Sequence, residues 1–124
     1  MEVKTILKKL TGKKNITLTY RGNDAIKQVA DLFPNKTIII PDQGGWLTYK
    51  KYPKKFVLLE TKDGLINPKS LSNFKNQVLL LHSLAGYFIE QPMKEISCIC
   101  KKNKITLIND VAGSIGTDLA KYGD

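Results

Sequence analysis

Apolar residues recur along the chain in two rhythms, one helical and one extended. Glu2 to Leu10 places Val3, Ile6, Leu7 and Leu10 at i, i+3, i+4, i+7, the spacing of a helix with one buried face, and Gly12 ends it. Ile16-Thr17-Leu18-Thr19-Tyr20 alternates as a strand does and runs into the turn Arg21-Gly22-Asn23-Asp24. Ile26, Val29, Ala30 and Phe33 then form a second helical stripe, stopped by Pro34. Thr37 to Ile40 is a short unbroken apolar run, the pattern of a strand covered on both faces. Beyond the break at Pro41-Asp42-Gln43-Gly44-Gly45, the order repeats: a short helix over Trp46 to Tyr52, then a strand over Phe56 to Glu60. A polar turn around Asp63-Gly64 precedes a short helix at Pro68 to Phe74, with proline in its first turn, and a strand at Gln77 to Leu81. A loop through Ser83 to Gln91 leads to a helix opened by Pro92, with Met93, Ile96, Ser97 and Cys100 on one side. The strand Ile105 to Ile108 follows.

Strands separated by helices of this length imply right-handed crossovers. The expected fold is α/β, a three-layer unit with a mainly parallel sheet and helices on both faces. At 124 residues the chain fits a single domain, 1–124, with no internal repeat or low-complexity stretch.

Charge changes the picture only a little. The net charge is +9, from 20 basic and 11 acidic side chains, and Arg21 is the one basic residue that is not lysine. The lysines fall in scattered pairs such as Lys8-Lys9, Lys50-Lys51 and Lys54-Lys55, as on a solvated surface. An alternative function follows from them, a small basic α/β binding module for nucleic acid or another polyanion. No apolar run reaches the roughly 20 residues of a membrane span, and no secretory leader opens the sequence. A cytoplasmic location is expected. Cys98 and Cys100 are too close to bridge without strain and, with the single His82, too few for a structural zinc site. They read as reduced thiols on a helix.

In parallel sheets, ligands bind at the carboxyl ends of the strands, where loops meet helix N-termini. The chain presents there Gly22-Asn23-Asp24, Asp42 to Trp46, His82-Ser83, and Asn109 to Ser114. Gly22 and Asn23 at a helix start offer backbone N–H groups to an anion, or serve as a plain cap. Trp46, after two glycines that allow close backbone approach, can stack on a planar ring, although filling the core is the commoner use of tryptophan. Asp110, ending an apolar strand, needs either a helix N-terminus near Gly113-Ser114 or a positively charged ligand atom.

Taken in order from Ile16 to Asp124, these strand ends resemble the cofactor-binding large domain of fold-type I pyridoxal-phosphate (PLP) enzymes, most closely the DegT/StrS sugar-aminotransferase group. Arg21-Gly22-Asn23-Asp24-Ala25 resembles the family's phosphate-holding Ser-Gly-Thr-Ala stretch. Ile38 to Trp46 resembles the next strand and loop, whose aromatic residue stacks on the pyridine ring. Leu79 to Gly86 is similar to the strand ending in a His-Leu-Tyr-Gly type loop. Ile105 to Gly113 resembles the strand whose aspartate pairs with the pyridine nitrogen. Asp24 departs from the family's small uncharged residue, and Gly113 from its glutamine, while the Schiff-base lysine belongs after a Gly-Asp pair such as Gly123-Asp124.

The resemblance implies a PLP site contributed by Gly22, Asn23, Trp46 and Asp110, with no catalytic lysine in this chain. It implies a partial aminotransferase-like protein, inactive alone as a transaminase, that self-associates or takes a partner segment completing the fold. An independent enzyme using His82 with Cys98 or Cys100 is the third reading, and no feature marks either thiol as a low-pKa nucleophile.

Overall fold

Ile38, Ile40, Val78 and Leu80 turn to one side of a β-sheet, while Ile39, Leu79, Leu81 and Leu107 turn to the other; strand alternation thus splits the core in two. The molecule is described by a computed structural model covering residues 2–85 and 89–124. Its main sheet is built from β1 (Ile38–Pro41), β2 (Phe56–Leu59), β3 (Val78–His82) and β6 (Thr106–Asp110), in the order β2-β1-β3-β6. Every pairing is parallel, as the alternation of strands and helices requires.

Helices cover both faces. On one lie α2 (Gly22–Asp31) and the 3-10 turn Leu47–Lys50, which bring Ala30 and Tyr49 against Ile38, Ile40, Val78 and Leu80. On the other lies α3 (Met93–Lys102), whose Met93, Ile96 and Cys100 pack with Leu71, Ile39, Leu79 and Leu107. The expected three-layer α/β architecture is therefore present.

Several local expectations are corrected. Ile16 to Tyr20 forms no strand: Leu18 is exposed and Tyr20 is 103% accessible. An alternating run becomes a strand only if a neighbour takes its backbone hydrogen bonds, and neither edge of the sheet pairs with it. The short helices expected near Trp46 to Tyr52 and Pro68 to Phe74 do form, as 3-10 helices over 47–50 and 68–73. In the second, Asn67 caps the turn by accepting a bond from the Lys69 N–H at 3.1 Å, with Pro68 in its first turn. Within the expected loop Ser83 to Gln91, β4 (Leu84–Ala85) pairs antiparallel with β5 (Ile89–Glu90). Gly86, part of the strand-and-loop similarity, lies outside the described residues.

The first helix, α1 (Val3–Thr11), forms as its spacing predicts, but none of its residues is buried and Val3 and Ile6 remain exposed. It lies near residues 118–121, and Lys13 Nζ donates to the Gly123 carbonyl. Among the described residues no helix is long and apolar enough to cross a membrane.

Candidate functional site

The carboxyl ends of β3 and β6 lie side by side, with His82 opposite Asp110 in register. Facing them across a cleft of about 660 Å³ are the N-terminus of α2 and the segment Gly45-Trp46. Gly22, Asn23, Trp46 and Asp110, four residues spread over most of the sequence, thus line a single cleft.

Asp110 ends β6 with both carboxylate oxygens engaged. Oδ2 accepts the Tyr49 hydroxyl at 2.5 Å, and Oδ1 accepts the Ala112 N–H at 3.0 Å. The expected helix N-terminus near Gly113-Ser114 is absent, because residues 112–116 form turns. A tight turn and a tyrosine from the layer covering the sheet take its place. Tyr49 is 1% exposed. Burial pushes its phenol well above the ordinary range, and the adjacent Asp110 charge and hydrogen bond add to that, so the hydroxyl stays protonated and can only donate to the carboxylate.

Tyr49 also explains the second glycine of the pair. Gly45 has φ +76°, and a Cβ there would stand 2.5 Å from the Tyr49 ring. Gly45 thus lets the chain fold over Tyr49, a packing role in place of the expected close approach of a ligand. Trp46, the next residue, is 59% exposed. Tyr49 fills the core that a tryptophan more commonly fills, which leaves the indole at the mouth of the cleft.

The N-terminus of α2 carries no side-chain cap. Its cap residue Arg21 receives the Asp24 and Ala25 N–H groups on its carbonyl. The Asn23 side chain does not cap either, since its Oδ1 accepts the Thr48 hydroxyl at 3.2 Å and ties α2 to the 47–50 turn. A Cβ on Gly22 would meet nothing within 4 Å, so open space lies before this helix end. Asp24 is drawn toward Arg21, at 3.8 Å.

His82 lines the same cleft. Its Nδ1 is bonded to the Leu84 carbonyl, which fixes the proton on Nδ1 and leaves Nε2 as the free acceptor. Behind it the buried hydroxyls of Ser83 and Ser114 meet at 2.6 Å, fastening the β3 end to the turn after Asp110. Among the described residues no lysine lines the cleft, and no group of three His, Cys, Asp or Glu is placed to hold a metal. Cys98 and Cys100 are free thiols on α3, away from the cleft. Lys50, Lys51, Lys54 and Lys55 are exposed, and none reaches it. The residue missed from sequence is Tyr49; its one signal is an aromatic inside the short helix expected over Trp46 to Tyr52, which reads as core.

The sequence matches no family model, and no curated protein matches it. Solved structures do match in fold. A serine palmitoyltransferase variant from S. paucimobilis with bound PLP–myriocin superposes with a TM-score of 0.69 at 12% identity, over 86% of this chain and 30% of that one. A second serine palmitoyltransferase structure with PLP gives 0.66 at 13% identity, over 86% and 29%. An O-acetylhomoserine sulfhydrylase from Wolinella succinogenes gives 0.62 at 16% identity, over 84% and 33%. The fold is that of part of a fold-type I PLP enzyme. The chain spans about 30% of the length of the first of these proteins.

Proposed function

We propose that the chain is a segment of a PLP-dependent enzyme, aminotransferase-like in its chemistry, that contributes one wall of the cofactor cleft. The observation carrying this reading is the convergence of Gly22, Asn23, Trp46 and Asp110 on one cleft at the carboxyl ends of parallel strands. The residues fit the cofactor. Asp110 would hold a proton on the pyridine nitrogen, Trp46 would lie against the ring face, and the open helix end at Gly22 and Asn23 would receive the phosphate. When bound, PLP supplies an electron sink for a substrate carbanion. Narrower kinship with the DegT/StrS group rests on the strand-end residues quoted above. The free thiols accord with a cytoplasmic setting.

The amine for Schiff-base formation would come from another segment, and the outer edge of β6, beyond Gly123-Asp124, is where we propose that it docks. Among the described strands β6 pairs with β3 alone. Gly123-Asp124 already lies along its other edge, with the Asp124 N–H donating to the Leu107 carbonyl at 2.9 Å and the Leu107 N–H to Asp124 Oδ2 at 2.7 Å. Beside it, Asn109 Oδ1 is buried without a hydrogen-bond partner among the described residues, an acceptor that a further paired segment would satisfy.

The test is titration with pyridoxamine 5′-phosphate, which lacks the aldehyde and so cannot condense with the surface lysines. Saturable quenching of Trp46 fluorescence that weakens about tenfold or more in Asp110→Asn is expected, the scale of one lost charge-assisted hydrogen bond. Absent saturation, or binding indifferent to Asp110, would refute the cofactor reading.

A further inference from the structure

The Asp110 carboxylate is held by two donors that reach it from different elements. The Ala112 N–H, two residues on in the chain, binds Oδ1, and the Tyr49 hydroxyl, from the layer covering the sheet, binds Oδ2. A carboxylate with a single donor rotates about its terminal bond; two donors on different oxygens fix its plane. We propose that Tyr49 is a positioning residue for Asp110, setting the carboxylate plane so that its remaining lone pairs face a ring nitrogen in the cleft. The inference rests on the cofactor reading above.

Three features make Tyr49 suited to this. Its ring is locked beneath Gly45, whose backbone leaves no room for a side chain. The ring packs in the core layer with Ile40, Val78 and Leu80, so its hydroxyl has little freedom to move. Burial keeps the phenol protonated, so the bond runs in one direction across the working pH range. The other charged or titratable groups facing the site are His82, from the neighbouring strand, and Arg21, from the cap of α2.

The experiment measures pyridoxamine 5′-phosphate affinity, and the pH at which the bound ring nitrogen loses its proton, in wild type, Tyr49→Phe, Asp110→Asn and the double variant. His82 and Arg21 are unchanged throughout and contribute a common background. Tyr49→Phe keeps the packed ring and removes only the hydroxyl. It is expected to weaken binding by about three- to tenfold, the cost of one hydrogen bond, and to move the ring titration to lower pH, in the direction of Asp110→Asn. In the Asp110→Asn background it should add nothing, since its effect passes through that carboxylate. Gly45→Ala, which forces the Tyr49 ring to shift, should reproduce the loss without altering either residue, and keeps the question open to test if Tyr49→Phe fails to fold by circular dichroism. Asp110-dependent binding with a wild-type titration in Tyr49→Phe, or a Tyr49→Phe effect that persists undiminished in the double variant, overturns this inference alone. No saturable binding by the wild type overturns the cofactor reading and this inference with it.

Discussion

The imidazole of His82 occupies the space that any side chain at residue 113 would need: a Cβ on Gly113 would lie 2.9 Å from His82 Cε1. The resemblance noted in the sequence implies glutamine at this position, and a side chain there would require His82 or the turn to shift. His82 and Asp110 stand opposite one another at the ends of β3 and β6, so the ring fills the space next to this strand end.

Gly113→Gln is expected to expel the His82 ring and break its bond to the Leu84 carbonyl. His82 is the single histidine, so its Cε1–H resonance reports the change without assignment. Gly113→Ala should cost about 1–3 kcal/mol, the range for overpacking a filled site. An unshifted resonance in Gly113→Gln would show that the turn at 111–117 yields instead of the histidine.

Trp46 should separate binding from stability. Its exposed indole leaves little packing to lose, so Trp46→Ala should change unfolding free energy by no more than about 0.5 kcal/mol in urea titrations. The same substitution should weaken pyridoxamine 5′-phosphate about tenfold by calorimetry, through loss of ring stacking. A large loss of stability would assign Trp46 to the core after all.

The sheet core and the apolar face of α1 should respond differently to truncation. Ile39 is 0% exposed between the layers, and Ile39→Ala should cost about 2–5 kcal/mol. Val3→Ala on the uncovered face of α1 should fall within about 0.5 kcal/mol of wild type. Comparable losses at both positions would mean that the α1 face is covered in solution.

Cys98 is exposed and Cys100 is buried, so a thiol reagent should modify one cysteine in the native protein and two after denaturation. Burial, reinforced by the negative charge of Asp124, pushes the Cys100 thiol up from 9.0 to about 11. Burial favours the neutral thiol, so this contribution to stability is fully present below pH 9.0 and is lost as pH rises through about 11. Cys100→Ala should flatten that part of the stability-versus-pH curve measured by denaturant titration.

The sequence by itself determined the four parallel strands, the segments that cross between them and hence the α/β sheet, because short unbroken apolar runs bounded by turn residues and interleaved with helical stripes favour that arrangement. Ile38 to Ile40 and Val78 to Leu81 could be recognised as fully covered strands, and the polar strand ends marked where a ligand would meet the sheet. Ile16 to Tyr20 misled for a physical reason: alternation describes a strand's faces and says nothing about whether another strand is available to pair with it. Only the tertiary structure decided that Gly22, Asn23, Trp46 and Asp110 share a cleft, that Tyr49 rather than Trp46 fills the core, and that Asp110 is held by that tyrosine. Tyr49 and Asp110 are 61 positions apart, and no local pattern encodes a bond across that separation. It arises when two layers pack over one sheet and bring a buried hydroxyl to the end of a neighbouring strand.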